Sequence, residues 1–333
     1  MQLGMSYIAV IGAGSWGTTL ASMLVEKGYD VSLWAREKDV ADEINEISRN
    51  SIYLPDVPLP SGLKATSSLE DALKKSRYVL SVVPTQFIRS VFQEAVNYLS
   101  GDAVVVSASK GIEQGTLLTV SDILHEVTGK EVAALSGPSF AKEVIRKLPT
   151  AVTLAAAHID TGLLLQEIFN SGHFRVYTHH DVIGVELGGA LKNVVAIASG
   201  ICDGLGLGQS ARAALITRGL VEISRLGRTM GADPMTFSGL SGLGDLVLTC
   251  TGPLSRNYTV GINLGKGMKL KEILSSTRSV AEGVATSLSA FELGQKKGVE
   301  MPIIEQVYEV LYKDKDPETA VLSLMNRALK SEF

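Results

Sequence analysis

The sequence predicts an α/β domain followed by an all-helical domain, and three observations lead to this prediction. Short apolar runs rich in valine alternate with helical patterns through the first half of the chain, and beyond about Asp181 helical patterns dominate. The chain has 333 residues, which suffices for two domains. Apolar residues make up 45% of it, enough for a sizeable core. We therefore expect one domain over residues 1–180 and a second over residues 181–333.

Six apolar runs in the first half have the length and composition of buried strands. They are Tyr7–Ile11, Asp30–Trp34, Arg77–Val83, Ala103–Ser109, Glu131–Ser136 and Ala151–Ala156. Nearly continuous apolar strands that alternate with helices indicate a parallel sheet covered on both faces.

The second half carries strong helix signals. Long helices are predicted over Gly184–Gly200 and Ala213–Gly231, and Gly231 is the expected stop of the second. Asp233 followed by Pro234 is typical of a capped helix start, and Pro302 opens another helical pattern in the same way. These signals predict an all-helical second domain.

Composition and charge exclude several function classes. The chain has 31 basic and 35 acidic residues, a net charge of −4, so no surface for nucleic acid or anionic membrane is indicated. Two cysteines, Cys202 and Cys250, cannot build a disulfide framework and favour a reducing compartment. The first residues show no secretory leader, and no uncharged apolar run reaches about 18 residues. We expect a cytoplasmic protein without nucleic-acid or membrane partners.

No metal site is expected, because the five histidines and two cysteines show no ligand spacing. His179 and His180 are neighbours in the chain, and on a strand their rings would point to opposite faces. We interpret both as structural or surface residues.

The strongest motif lies in "IAVIGAGSWGTTLASMLVEKG". Gly12, Gly14 and Gly17 fit G-x-G-x-x-G directly after a predicted strand and at the start of a predicted helix. The first glycine permits a tight turn, the second lets the backbone approach a pyrophosphate, and the third lets the helix pack close to the strand. This context predicts a Rossmann-like dinucleotide-binding domain, and the alternative is a structural turn in a nucleotide-free α/β protein.

The second predicted strand bears on the choice of dinucleotide. A site for NAD usually carries an acidic residue about 20 residues after the motif, to bind the ribose hydroxyls. Arg36 stands there instead, and an arginine can pair with the 2′-phosphate of NADP. The sequence therefore favours NADPH. The alternative is a solvated arginine at a helix start, with Glu37 as the ribose partner.

Lys192 is unusual for its position on the predicted helix "GVELGGALKNVVAIASG". Its neighbours at three- and four-residue spacing are Gly188, Gly189, Val195 and Ala196, which form a small, apolar face. A lysine buried on such a face needs a partner or a shifted pKa, and can then act as a general acid or base. The alternative is a lysine that extends from the edge of a buried stripe to solvent.

Two later segments carry further candidate residues. Asp245 lies in "SGLSGLGDLVLTCTG", where an acid on so apolar a segment needs a partner or caps a helix. Ser255 in "PLSRNYTVG" stands at a predicted cap, with Arg256 and Asn257 in the first helical turn. A cation is disfavoured there by the helix dipole, and a bound anion would remove the conflict. The alternative for Arg256 is an ordinary solvated arginine.

Two loops follow predicted strands at the sheet edge where open α/β proteins bind ligands. "SASKGIEQG" places Lys110 at the end of one strand, and "LSGPSFAKE" (residues 135–143) repeats this geometry after the next. The alternative for both is an ordinary strand-to-helix loop.

Seven segments together resemble the bacterial type of NAD(P)-dependent glycerol-3-phosphate dehydrogenase. The segments are "GAGSWGT", "SASKGIE", "SGPSFAKE", "GVELGGALKNVVAIASGICDG", "ARAALITRGL", "GLSGLGDLVLTCTGPLSRN" and "VAEG". They occur in the family's order over nearly the whole chain, and the "GGALKN" and "GLGDL…SRN" segments are the most specific.

The resemblance implies a role for each matching residue. Lys192 matches the catalytic proton donor and acceptor, while Lys110 would polarise the carbonyl or fix the substrate and Asp245 would orient the lysine. The implied cofactor contacts, besides Gly12, Gly14 and Gly17, are Ser15, Trp16, Arg36, Lys110, Ala141, Arg256, Val280 and Glu282. The implied substrate contacts are Lys110, Gly137, Ser139, Lys192, Asp245, Ser255, Arg256 and Asn257.

The implied reaction interconverts dihydroxyacetone phosphate and sn-glycerol 3-phosphate with NADP or NAD as cofactor. The resemblance also implies that the sn-glycerol 3-phosphate is used for phospholipid synthesis. A homodimer is plausible from the apolar helical half. One alternative is a reductase for another hydroxy acid or branched acid with the same two domains, which would not need the Ser255–Asn257 turn. A second alternative is a nucleotide sensor that has lost its chemistry, against which Lys192 and Asp245 argue.

Overall fold

The computed structural model describes residues 7–275, 281–329 and 331–332. The described residues form one eight-stranded sheet and fifteen α-helices. The strands are β1 (Tyr7–Ile11), β2 (Asp30–Trp34), β3 (Lys64–Thr66), β4 (Tyr78–Ser81), β5 (Val104–Ser107), β6 (Val132–Ser136), β7 (Thr150–Ala155) and β8 (Phe174–His179). The helices are α1 (Ser15–Glu26), α2 (Lys38–Ile47), α3 (Leu69–Leu73), α4 (Thr85–Ala95), α5 (Val120–Thr128), α6 (Ala141–Val144), α7 (Ile159–Phe169), α8 (Val182–Gly204), α9 (Gly208–Thr229), α10 (Asp245–Thr251), α11 (Arg256–Gly265), α12 (Leu270–Ser275), α13 (Glu282–Lys297), α14 (Pro302–Tyr312) and α15 (Pro317–Met325).

The strand order is β3-β2-β1-β4-β5-β6-β7-β8. Strands β1 to β6 run parallel, whereas β7 pairs antiparallel with β6 and parallel with β8. The order reverses between β1 and β4, and open α/β sheets bind ligands beyond the carboxyl ends of strands at such a reversal. The glycine turn that follows β1 lies at this point.

The predicted α/β class and the all-helical second half are confirmed, with differences in single strands. β1 and β2 have the predicted bounds, and the other four predicted strands agree within two residues at each end. β3 and β8 were not predicted, because β3 has only three residues and β8 alternates buried with exposed positions at the sheet edge. The antiparallel direction of β7 relative to β6 could not be predicted, because a strand buried on both faces shows the same apolar pattern in either direction.

The chain forms two compact units. The first comprises Met1–Lys110 and Leu118–Glu186, and the second comprises Gly111–Leu117 and Leu187–Phe333. In the first unit, Ile8 and Val10 of β1 belong to one apolar core, and Ala9 and Ile11 belong to another. Alternate residues of a strand point to opposite faces, so both faces of the sheet are covered, as predicted.

In the second unit, α8 contributes core residues from Leu187 to Ile201. By length and composition this helix could span a membrane, but 89% of its apolar window is buried within the protein. A Cβ built on Gly200 of α8 would lie 2.1 Å from the carbonyl oxygen of Tyr258, and one on Gly261 of α11 would lie 2.1 Å from that of Ile197. The two helices therefore meet backbone to backbone, and only glycine fits at these crossings.

The predicted helix starts of the second half are present. Pro234 opens a 3₁₀ turn whose N-cap is Asp233, and Pro302 is the first residue of α14. The long predicted helices correspond to α8 and α9, and both begin before the predicted residue. α8 continues past the predicted end at Gly200 to Gly204, whereas α9 ends at Thr229, just before the predicted stop at Gly231.

Glu222 of α9 holds the start of α14. Its side chain is buried, and its carboxylate accepts hydrogen bonds from the backbone N–H groups of Ile303 (2.8 Å) and Ile304 (3.2 Å). Burial raises the pKa of Glu222 to about 7, although both hydrogen bonds and the nearby Arg225 and Arg327 act in the opposite direction. The carboxylate thus satisfies two N–H groups that a helix start would otherwise leave without partners.

The two neighbouring histidines differ from their expected geometry. The rings of His179 and His180 stack with their centroids 4.9 Å apart, whereas alternation along a strand would point them apart. β8 ends at His179, so the alternation does not continue to His180. The Nδ1 atom of His179 accepts a hydrogen bond from the backbone N–H of Asp181.

Candidate active site

The glycine turn in the first unit is held by two close backbone contacts. Gly12 has a φ of +118°, and a Cβ there would lie 2.8 Å from the carbonyl oxygen of Val82. A Cβ on Gly17 would lie 1.8 Å from the carbonyl oxygen of Gly12. Both glycines are therefore required by the conformation of the turn and by the packing of α1 on β1.

The start of α1 has the features of an anion site. In the described structure no side chain caps the helix at Gly14, and its first turn contains no acidic residue. A Cβ built on Gly14 would meet nothing within 4 Å, so a ligand could approach the backbone closely. Among the described residues, no acceptor lies within hydrogen-bond distance of the buried Trp16 Nε1. These features fit a dinucleotide whose pyrophosphate lies at the helix N-terminus.

Arg36 follows β2 and is exposed, with its guanidinium 6.0 Å from the centre of the Phe87 ring. Glu37 is also exposed and stands at the N-cap position of α2 without capping it through its side chain. Both the arginine that would pair with a 2′-phosphate and the alternative ribose partner are therefore accessible to a ligand.

The two loops beyond β5 and β6 are joined by a hydrogen bond. The half-buried Lys110 donates from Nζ to the carbonyl oxygen of Gly137 at 3.1 Å, and the Ser139 hydroxyl donates to the same oxygen at 3.1 Å. Gly137 has a φ of +143°, and a Cβ there would lie 2.9 Å from Val152 Cα. Ala141 begins the short helix α6 just beyond. The structure thus brings the candidates of both loops together.

Lys192 lies in the interior of the second unit and is 6% exposed. Its Nζ donates hydrogen bonds to Asp245 Oδ1 at 2.6 Å and to Thr249 Oγ1 at 2.7 Å. Asp245 is 1% exposed, and Thr249 donates to its backbone carbonyl oxygen at 2.6 Å. The lysine is therefore neither solvated nor unpaired, and a buried ammonium is held beside a buried carboxylate.

Local backbone geometry positions Asp245. A π-helical turn, Leu240–Gly244, precedes it, and a Cβ on Gly242 would lie 2.2 Å from the carbonyl oxygen of Phe237. A Cβ on Gly188 of α8 would lie 2.5 Å from the carbonyl oxygen of Ser241. The glycines that surround the aspartate in the sequence thus let the turn approach α8 closely enough for the aspartate to reach Lys192.

The buried Cys250 thiol is influenced electrostatically by Lys192 and Asp245. Desolvation by burial raises the pKa of this thiol to about 12, against the opposing effect of the Lys192 ammonium. The thiol therefore stays protonated at neutral pH and is not a nucleophile.

A second polar cluster adjoins Lys192 along the chain. Asn257 Nδ2 donates to Asn193 Oδ1 at 2.9 Å, and Asn257 Oδ1 accepts from the Gly283 N–H at 3.0 Å. A Cβ on Gly283 would lie 2.6 Å from the carbonyl oxygen of Asn193. This network fixes the first turns of α11 and α13 against α8.

The first turn of α11 has the predicted geometry. Ser255 is the N-cap, and its hydroxyl accepts a hydrogen bond from the Tyr258 N–H at 3.2 Å. Arg256 follows as the first helical residue. Desolvation by the surrounding protein lowers the pKa of Arg256, while the Glu282 carboxylate raises it. An arginine remains charged in either case, so a guanidinium stands at the positive end of a helix.

The structure groups the candidate residues into two sets, one in each unit. Gly12, Gly14, Ser15, Trp16, Gly17, Arg36, Lys110, Gly137, Ser139 and Ala141 belong to the first, and Lys192, Asp245, Ser255, Arg256, Asn257 and Glu282 belong to the second. Val280 lies outside the described residues. Sequence reasoning missed Thr249 and Asn193, although Thr249 stands four residues after Asp245 on a helix and Asn193 directly follows Lys192.

Comparison with known proteins gives the same family for both halves of the chain. Residues 7–161 match the model described as "NAD-dependent glycerol-3-phosphate dehydrogenase N-terminus", and residues 181–322 match the corresponding C-terminus. A relative from Geobacter sp. (strain M21), "Glycerol-3-phosphate dehydrogenase [NAD(P)+]", is 56% identical over 329 residues, which is 98% of each chain. A relative of the same name from Solidesulfovibrio magneticus is 55% identical over 98% of this chain and 99% of its own.

A solved structure shows the same similarity. The crystal structure of glycerol-3-phosphate dehydrogenase from Coxiella burnetii is 42% identical, with a TM-score of 0.93. The comparison covers 97% of this chain and 99% of that one. Because both domain models and relatives above half identity agree over nearly the full length, the chain belongs to the NAD(P)-dependent glycerol-3-phosphate dehydrogenases, which interconvert dihydroxyacetone phosphate and sn-glycerol 3-phosphate with NAD(P)H.

Proposed function

We propose that Lys192 is the group that donates the proton to the ketone oxygen and removes it in the reverse reaction. The supporting observation is its burial at hydrogen-bond distance from Asp245 and Thr249. When bound, the reduced nicotinamide supplies the hydride for the carbonyl carbon. Negative charge then develops on the oxygen of dihydroxyacetone phosphate, where the Lys192 ammonium stabilises it and delivers a proton.

Asp245 keeps Lys192 in the ammonium form before proton transfer. A carboxylate 2.6 Å from Nζ favours the charged amine, which burial alone would disfavour. Thr249 accepts a second hydrogen bond from Nζ and so helps to orient the ammonium. Lys110 in the first unit polarises the carbonyl or holds the substrate.

The substrate phosphate is assigned to the start of α11. Its backbone N–H groups and the Arg256 guanidinium supply positive charge for a dianion. The Ser255 hydroxyl accepts from Tyr258 and can still donate its own proton to a phosphate oxygen. The side-chain amide of Asn257 is engaged by Asn193 and Gly283, so we assign its phosphate contact to the backbone N–H.

The dinucleotide is assigned to the residues 1–180 region, with its pyrophosphate at Gly14, Ser15 and Trp16. Arg36 pairs with a 2′-phosphate, so the protein prefers NADPH to NADH. The remaining cofactor contacts are assigned, from the family resemblance, to Lys110, Ala141, Arg256, Val280 and Glu282.

Residues 181–333 are assigned to substrate binding and catalysis. The protein acts on small molecules in the cytoplasm as a homodimer, without nucleic-acid or membrane partners. The net charge of −4 and the apolar helical half support this assignment. Its product, sn-glycerol 3-phosphate, supplies phospholipid synthesis.

The proton-donor assignment is tested with Lys192→Met and, as a matched control, Lys315→Met. Lys315 is also a partly buried lysine of the second unit, 2.7 Å from Glu309. We expect turnover of dihydroxyacetone phosphate, followed by loss of NADPH absorbance, to fall by about 10² to 10⁴ in the first variant and to stay near the wild-type rate in the control. Equal turnover in the two variants would show that Lys192 is not the proton donor. A wild-type protein that binds NADPH but does not oxidise it in the presence of dihydroxyacetone phosphate would be a nucleotide sensor and not an enzyme.

A further inference from the structure

One buried side chain outside the candidate site is bonded directly to the glycine turn. Asn50 follows α2 in the chain and is 0% exposed. Its Nδ2 group donates to the carbonyl oxygen of Ala13 at 2.9 Å and to Thr18 Oγ1 at 2.9 Å. Thr18 in turn donates to the same carbonyl oxygen at 3.1 Å. The Ala13 carbonyl therefore accepts two hydrogen bonds inside the protein.

This closed set of bonds fixes the orientation of one peptide group. In a trans peptide the C=O and the following N–H point in opposite directions. Two donors that hold the Ala13 carbonyl inward thereby turn the Gly14 N–H away from Asn50. Gly14 is the residue at the N-cap of α1, where the pyrophosphate is assigned.

Asn50 is itself anchored by the segment that follows it. Its Oδ1 accepts a hydrogen bond from the Tyr53 N–H at 3.2 Å, and its backbone oxygen accepts one from the Leu54 N–H at 2.8 Å. Leu54 is 1% exposed. The proline-rich loop "YLPDVPLPSG", which begins at Tyr53, is thus attached to the core at the residue that holds the glycine turn.

We propose that Asn50 is a positioning residue for the dinucleotide, which presets the Ala13–Gly14 peptide for the pyrophosphate and sets the affinity for NAD(P)H. This role rests on the proposed location of the cofactor. An asparagine suits the position because both N–H atoms of its amide are donated into the turn while its oxygen accepts from the loop. A preset peptide removes an ordering step from binding, and so increases affinity.

The test is Asn50→Asp, which keeps the size of the side chain but replaces the donating amide with an acceptor. The matched control is Asn45→Asp. Asn45 lies on α2 of the same unit and also donates from Nδ2 to a backbone carbonyl, that of Ala65, at 2.8 Å. We expect the Kd for NADPH, measured by the fluorescence of the bound nucleotide, to rise about ten-fold or more in Asn50→Asp and less than about two-fold in the control.

Steady-state kinetics separates positioning from a general loss of structure. The KM for NADPH should rise with the Kd in Asn50→Asp, while the KM for dihydroxyacetone phosphate stays near its wild-type value. Thr18→Val removes one donor to the Ala13 carbonyl at nearly constant volume, and should raise the Kd for NADPH by about three-fold even if Asn50→Asp does not fold.

Three results would overturn the proposal, and the third is distinguishable from the first two. A wild-type Kd for NADPH in Thr18→Val, or equal changes in Asn50→Asp and Asn45→Asp, would reject the role of Asn50 alone. Failure of the wild-type chain to bind NADPH or NADH would reject the cofactor site as well.

Discussion

Replacing Asp245 with asparagine would leave a buried ammonium without its carboxylate. Lys192 Nζ and Asp245 Oδ1 are 2.6 Å apart, and their side chains are 8% and 2% exposed. Two unit charges at this distance attract by about 6 kcal/mol at an effective dielectric constant near 20. Desolvation offsets part of this attraction, and removal of one partner from a buried pair typically costs about 3–5 kcal/mol. We therefore expect Asp245→Asn to lower the free energy of unfolding at pH 7 by about 3–5 kcal/mol.

The assay is urea denaturation followed by circular dichroism, for wild type, Asp245→Asn, Lys192→Met and the double variant. Each single variant leaves one buried charge without its oppositely charged partner, whereas the double variant removes both charges. The double variant should therefore lose less stability than the sum of the two single losses. Asp42→Asn is the matched control, because Asp42 lies at the same 2.6 Å from Lys38 but on the surface, where solvent screens the pair.

Strict additivity in the double variant would refute this account of the pair. A loss in Asp245→Asn no larger than that in Asp42→Asn would refute it as well. Turnover provides a second readout, since an ammonium without its carboxylate loses its proton more easily. The fall in activity on the alkaline side of the pH profile should therefore begin at a lower pH in Asp245→Asn than in wild type.

Three further changes have defined outcomes. Arg36→Ala should raise the Kd for NADPH by about ten-fold or more and that for NADH much less, and equal losses would refute the contact with the 2′-phosphate. Glu222→Gln tests a buried carboxylate whose pKa rises on folding from 4.5 to about 7, so the stability it contributes is complete below about pH 4.5 and is lost as the pH rises to about 7. Urea unfolding at pH 5 and at pH 8 measures the loss of unfolding free energy between these two pH values. This loss should be about 3 kcal/mol smaller in Glu222→Gln than in wild type, and an equal loss in both proteins would contradict the raised pKa of Glu222. Gly200→Ala should lower the free energy of unfolding by about 1–3 kcal/mol, since its Cβ would lie 2.1 Å from a carbonyl oxygen. Gly172→Ala, where the same atom meets nothing within 4 Å, is the control, and an equal effect would contradict the packing argument.

Elements with a strong local signal could be predicted from the sequence. The glycine turn after β1 combines an apolar run, spaced glycines and a helical pattern, and Gly12 and Gly17 each have a local steric reason. The caps at Asp233 and Ser255 and the prolines that open helices are local signals of the same kind. The direction of β7 and the edge strand β8 depend on tertiary pairing, which leaves little trace in a single chain.

The candidate site shows the same division. Lys192 stood out because a cation on a face of small apolar residues is costly unless it is paired, and Asp245 stood out for the same reason. That these two residues pair with each other, 53 positions apart, could not be read from spacing. Thr249, Asn193 and Asn50 were missed because small polar residues on buried elements have many structural uses. Only the three-dimensional contacts reveal what each of them holds.

Chemical rescue of Lys192→Ala tests the central claim most directly. The truncation leaves room beside Asp245 for a small amine, so added methylammonium can replace the missing ammonium. We expect NADPH oxidation by the variant with dihydroxyacetone phosphate to be about 10² to 10⁴ below the wild-type rate and to rise in proportion to the concentration of the protonated amine. A Lys192→Ala enzyme that turns over at the wild-type rate without amine would show that the proton comes from another group.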